Sequence, residues 1–201
     1  MRETLLDPTT PSQIRLYLRW IPYERLANIQ QIEESDYAIV YKATWLDCYT
    51  LADYLSRGRV TLTILHGITQ DPKTKEYLIV MDYGTRGDLK NHLKCVLHEV
   101  LWGNKVEYLY DLSRQLYGIH KTGTVHCNLH SGNIVISDIS FSILDSERHA
   151  YFIGFRHSCP ENTTVSDVHG VLPYVAPEIL RKQPYTTTTD IYSFGVVMCE
   201  L

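Results

Sequence analysis

The hydrophobic and polar positions change period along the chain. Tyr37 to Ala43 (YAIVYKA) is rich in aromatic and β-branched residues, and Arg59 to Leu65 (RVTLTIL) alternates; both predict strands. Tyr77 to Asp82 (YLIVMD) is a nearly continuous apolar run, the pattern of a buried strand. The polar turn QDPKTKE before it predicts a hairpin connection. After Gly87 the pattern becomes helical. Asp88 is placed to cap a helix over 89–101. A second helix over 105–121 carries Leu109, Leu112, Leu116 and Ile119 on one face and stops at Gly123. Short strands are predicted near 133–136 and 150–153, then a polar loop with Asn162, Thr163 and Thr164, then a helix starting near Asp190. At the other end, Pro8 and Pro11 mark a flexible entry, and QIRLYLRW (13–20) predicts a short helix. Strands followed by helices predict an α+β fold with two lobes. The expected division is an N-terminal extension over 1–20 and one domain over 21–201, with a β-rich lobe to about 84 and a helical lobe from about 85.

The composition narrows the class of function. The chain has 201 residues, 44% hydrophobic, enough apolar material for a core. A net charge of -4 argues against nucleic acid as a partner. No apolar run approaches the ~18–20 residues of a bilayer span, and the polar start MRETLLDPTTPSQ lacks a secretory core. The five cysteines are scattered, without a C-x-x-C, and read as reduced thiols in a cytoplasmic or nuclear protein. Neither a membrane nor a nucleic-acid partner is therefore expected.

Four segments, in order, then resemble the eukaryotic protein kinase domain: IVMDYGTRGDL (79–89), similar to the strand and hinge between kinase lobes; VHCNLHSGNIVI (125–136), similar to the catalytic loop H-R-D-L-x-x-x-N; VAPEIL (175–180), carrying A-P-E; and TDIYSFGVVMCEL (189–201), similar to the central helix of the kinase C-lobe. LHSGN is most like the tyrosine-kinase-like branch of serine/threonine kinases. The resemblance covers about 21–201 and implies a two-lobed kinase fold with an ATP cleft.

The chemical positions depart from that family. QIEESDYAIVY puts Glu33, Ser35 and Ala38 where three glycines would let backbone N–H groups approach the phosphates, and Glu33 brings negative charge. A polar turn with no ligand is the plainer reading. RVTLTIL puts Thr63 where the phosphate-pairing lysine belongs; Lys42, two residues from Val40 on one strand face, is the substitute to weigh against a solvated lysine. The interval 64–81 is too short for two strands of ~5 residues and a helix of ~11 with connections of ~4, so the helix bearing the lysine's glutamate partner is expected to be missing. His126-Cys127-Asn128 replaces H-R-D. Asn128, an amide, hydrogen-bonds but cannot take the substrate's proton, which forfeits ~100- to 10,000-fold in rate. Cys127 stands where an arginine would grip a loop phosphate. Asn133 keeps the family's metal-binding asparagine. Gly154-Phe155-Arg156 aligns with D-F-G, so the metal aspartate is gone and Mg²⁺ is not expected. His126, His130, His157, Cys127 and Cys159 lack zinc spacing, and a Cys127/His130 nucleophile pair is explained by the loop resemblance.

The resemblance assigns adenine and ribose contacts to Met81, Asp82, Gly84 and Asp88, with Val40 and Val135 around the base, so ATP is the implied, weakly held cofactor; ordinary strand and hinge residues are the competing reading. The sequence ends within apolar GVVMCEL, which predicts an incomplete C-lobe with Glu178 lacking its usual arginine, while Asp190 should brace the 126–128 loop. Thr163, Thr164 and Ser166 are candidate phosphorylation sites or ordinary loop hydroxyls. Three functions follow: a pseudokinase acting through other signalling proteins, a weakly active phosphotransferase using Lys42 and Asn133, or an eroded kinase copy.

Overall fold

The computed structural model describes residues 19–34, 39–46, 65–81, 83–96, 100–138, 149–164, 168 and 170–201. They fall into two units, the first ending at Met81 and the second beginning at Tyr83.

In the first unit, β1 (Leu26–Glu34) pairs antiparallel with β2 (Ile39–Trp45), and β3 (Leu65–Gln70) with β4 (Tyr77–Met81). The partner of β4 starts at Leu65, where the predicted 59–65 strand was to end; residues 59–64, including Thr63, lie outside the described residues. The turn is built by Asp71, whose Oδ1 accepts the backbone N–H groups of Lys73 (2.7 Å) and Thr74 (3.3 Å). Trp20 bridges Ile68 in parallel, and Ile21 N–H donates to the Ile68 carbonyl at 2.8 Å, so residues 19–21 extend along β3. The rest of the helix predicted over 13–20 lies outside the described residues. β4 is not a buried strand: Tyr77, Ile79 and Met81 are exposed, while Leu78 and Val80 are half-buried. The apolar run hid an alternation. The one helical segment among the described residues of this unit is the 3₁₀ turn Tyr23–Arg25. Residues 65–81 hold two strands and a turn, whereas 47–64 lie outside the described residues.

The second unit carries the main core. Asp88 caps α1 (Leu89–Val96), its Oδ1 accepting the Asn91 backbone N–H at 2.8 Å. The helix predicted to reach 101 stops earlier, since Leu101 is extended (φ -59°, ψ 146°) and leads into α2 (Trp102–Lys121). Gly123 N–H closes α2 on the His120 carbonyl at 2.9 Å. The buried stripe of α2 is Tyr108, Leu112, Gln115 and Leu116. Tyr108 takes the place predicted for Leu109, which is half-buried. β5 (Thr124–Val125) pairs with β8 (Cys159–Pro160), and β6 (Ile134–Ser137) with β7 (His149–Phe152). Gln115 joins α2 to β7: its Nε2 donates to the Ala150 carbonyl at 2.7 Å, and its Oε1 accepts Phe152 N–H at 3.0 Å. A buried amide satisfied on both sides fixes one register. Leu89, Leu93, Leu112, Leu116, Ile134, Ile136, Phe152 and Val197 form the core, with Val197 on α4 (Thr187–Glu200). A smaller cluster of Val125, Ala176, Ile179 and Tyr185 lies around α3 (Pro177–Leu180). Among the described residues no helix is long and apolar enough to cross a membrane.

Candidate functional site

The loop from His126 to Asn133 is anchored by Asp190 in the first turn of α4. The Asp190 side chain is buried; its Oδ2 accepts the His126 backbone N–H at 2.7 Å and its Oδ1 accepts Cys127 N–H at 3.1 Å. His120 Nε2 lies 2.9 Å from the same Oδ2. One carboxylate thus serves two backbone donors that α4 could not otherwise reach. It holds Cys127 in a left-handed conformation (φ 65°), which a non-glycine residue adopts only under constraint.

His126 is fully buried between Phe152 and Phe155, its ring centroid 4.8 Å from that of Phe155. Its Nε2–H donates to the Ile153 carbonyl at 3.0 Å, and its Nδ1 accepts the Asn128 N–H at 3.3 Å. Both bonds suit a neutral imidazole. Burial holds the ring below the ordinary histidine range, against the opposing pull of Asp190. With both nitrogens engaged, this ring is no zinc ligand. His130 is also held low by burial, and its Nδ1 accepts Gly132 N–H at 3.1 Å.

Asn128 and Asn133 are brought together: Asn133 Nδ2 donates to the Asn128 carbonyl at 2.8 Å. The Asn133 side chain then fills the space beside Gly154. A Cβ on Gly154 would stand 2.6 Å from Asn133 Cγ, Nδ2 and Oδ1, and Gly154 has φ 80°. The position aligned with the metal aspartate is therefore closed by a neighbouring amide, on a backbone that favours glycine. Mg²⁺ needs several oxygens, usually with carboxylates among them. Gly154 brings none, and Asn133 brings one amide oxygen. Among the described residues no group of three or more His, Cys, Asp or Glu could hold a metal. These residues do not fit Mg²⁺.

Gly84, Asp88 and Val135 also meet. Asp88 bridges Val135, and Ile136 exchanges backbone bonds with Arg86 and Gly87 (3.1 and 2.9 Å). A Cβ on Gly84 would come within 2.8 Å of Val135 Cβ, so this approach requires glycine. Both Asp88 oxygens are used in capping, Oδ2 accepting Asn91 Nδ2 at 2.7 Å; a ribose would compete for them. Val40 and Met81 belong to the first unit, both exposed, with Val40 paired to Glu33 and Met81 to Leu65. Lys42 is exposed on β2, opposite Gln30. Asp82, Ser35, Ala38 and Ser166 lie outside the described residues.

Tyr174, in the segment before A-P-E, was not legible as a site residue. Its hydroxyl lies 2.8 Å from Ser131 Oγ and donates to the Glu200 carboxylate, while Ser193 Oγ donates to its carbonyl at 2.7 Å. It therefore ties the loop, the A-P-E segment and α4 together. Burial and the Glu200 bond hold its phenol above the usual range. Glu178 of the A-P-E triplet is half-buried.

The protein kinase domain family matches residues 58–201. The chain is 28% identical over 141 residues to the serine/threonine/tyrosine-protein kinase HT1 of Arabidopsis thaliana, covering 69% of this chain and 34% of that protein. It is 27% identical over 199 residues to the probable leucine-rich repeat receptor-like protein kinase IMK3 of the same plant (87% and 25%). To the mitogen-activated protein kinase kinase kinase dlk-1 of Caenorhabditis elegans it is 30% identical over 134 residues (64% and 13%). The chain thus spans about a third or less of the length of these curated relatives. On the extent of that match, and with His126, Asn133, Phe155 and Asp190 interlocked around one loop, this chain belongs to the protein kinase domain family.

Proposed function

We propose that this protein kinase domain is a pseudokinase, working in signalling by binding other proteins and not by transferring phosphate. The observation that carries the reading is the Asn133 amide lodged against Gly154, in the space where a metal-binding carboxylate would have to stand. Kinases of this family use ATP with Mg²⁺, and phosphoryl transfer there is mostly positioning and charge neutralisation. Here the base position is the side-chain amide of Asn128, on a residue whose backbone carbonyl accepts from Asn133 Nδ2. Neither side chain takes a proton at neutral pH. What persists is a scaffold: Asp190, His126 and Phe155 hold the loop in shape with no proton acceptor and no metal carboxylate for phosphoryl transfer on it. ATP, if bound, is held weakly and without its metal. The partners are other signalling proteins of the cytoplasm, with no role for nucleic acid or membrane.

Thermal shift with ATP, with and without Mg²⁺, tests this. The expected result is a folded protein whose melting temperature is insensitive to Mg²⁺. A Mg²⁺-dependent rise together with label transfer to a generic substrate would instead mean a working phosphotransferase, and a chain that does not fold would mean an eroded copy.

A further inference from the structure

The catalytic loop carries a feature that phosphate chemistry does not use. Cys127 Sγ lies 3.1 Å from Cys159 Sγ, across the short β5–β8 pairing in which Val125 stands opposite Cys159. A disulfide bond is ~2.05 Å long, so about 1 Å of closure separates the two thiols from a bond. Both sulfurs are half-buried against the apolar cluster of Val125, Ala176, Ile179 and Tyr185. The other free cysteines among the described residues, Cys95 and Cys199, are exposed.

We propose that Cys127 and Cys159 form a reversible redox pair, oxidised by a hydroperoxide to a disulfide that links the catalytic loop to β8. Burial pushes the Cys127 thiol up, with the Cys159 bond adding to it, and so keeps Cys127 protonated. In this scheme Cys159 takes the peroxide step and Cys127 the resolving step. The Cys159 sulfur attacks one peroxide oxygen; the S–O bond forms, the O–O bond breaks, and the thiol proton passes to the departing oxygen, which leaves as an alcohol or water. Cys159 is now a sulfenic acid, oxidised by two electrons. Cys127 sulfur attacks Cys159 sulfur; the S–S bond forms, the S–O bond breaks, and hydroxide leaves as water with the Cys127 proton. Proximity compensates for the poor nucleophile, because the reacting atoms are already in contact. A thiol reductant restores the pair. Such transient disulfides are the kind that occur in reducing compartments. The proposal does not rest on the pseudokinase reading, since no step involves nucleotide or metal.

The test treats the full chain with hydrogen peroxide, alkylates the remaining thiols, and maps peptides without reduction. The expected result is a Cys127–Cys159 linked peptide, loss of both thiols from alkylation, and their recovery after dithiothreitol. In Cys127→Ser, with no resolving sulfur, a sulfenic-acid trap should label Cys159. The wild-type map decides the matter even if that variant misfolds. Cys127 and Cys159 remaining fully alkylatable while Cys95 and Cys199 oxidise would overturn the proposal.

Discussion

Asn133 and Gly154 share one space: the side-chain amide of the first stands 2.6 Å from where a Cβ on the second would be. Restoring a carboxylate at 154 therefore does not restore a metal site. Gly154→Asp must displace the Asn133 amide from its bond to the Asn128 carbonyl and adopt φ 80° with a side chain. We expect a loss of about 1–3 kcal/mol in stability, read by urea denaturation, and no Mg²⁺-dependent change in melting temperature. Unchanged stability with a new Mg²⁺ response would contradict this.

Asp190 is the acceptor for the backbone of His126 and Cys127. Asp190→Ala leaves two N–H groups without their carboxylate in a buried setting. At ~1–3 kcal/mol for each unsatisfied donor, the variant should lose about 2–6 kcal/mol. Asp190→Asn, which keeps one acceptor oxygen, should lose less. Equal stability of all three proteins would show that the loop is held by something else.

The buried histidines make stability depend on pH. His126 and His130 both have folded values below their ordinary 6.5, chiefly because burial excludes water. The unfolded chain therefore binds protons that the folded chain refuses as pH falls below about 6.5. Their contribution is complete above that pH and is lost progressively as pH falls towards the lowered folded values. Protonating Nδ1 of His126 would also set it against the Asn128 N–H. Denaturation curves between pH 8 and 5 should show this decline, and His126→Gln should reduce its slope; a slope unaltered in the variant would remove His126 from the explanation.

The local signals that survive without tertiary context were readable in the sequence. Asp88 before an amphipathic run predicted a cap, and the structure has that cap; the Gly123 stop and the strands flanking Asn133 and Phe152 were equally local. The kinase resemblance found His126, Asn133, Gly154 and Asp190 because their motifs keep a fixed spacing. What escaped depends on contacts far apart in the chain. Cys127 meets Cys159 only because β5 and β8 pair, and Tyr174 reaches Ser131 and Glu200 only once the A-P-E segment is folded. The burial of β4 is not legible in the sequence, because an uninterrupted apolar run carries no mark of which face is covered.

Asp88 has a structural task independent of any ribose. Asp88→Ala should destabilise the chain by about 1 kcal/mol, as loss of an N-cap does, with or without nucleotide present. Paired melts of the two proteins check this; equal melting points without nucleotide, and a gap only in its presence, would return Asp88 to ligand binding.

The most direct test of the central claim is transfer of label from [γ-³²P]ATP by the purified chain to itself and to a generic protein substrate, with Mg²⁺ present. The account predicts incorporation no greater than a protein-free blank, and the same result for Asn133→Ala. Incorporation that requires Mg²⁺ and falls when Asn133 is replaced would contradict it.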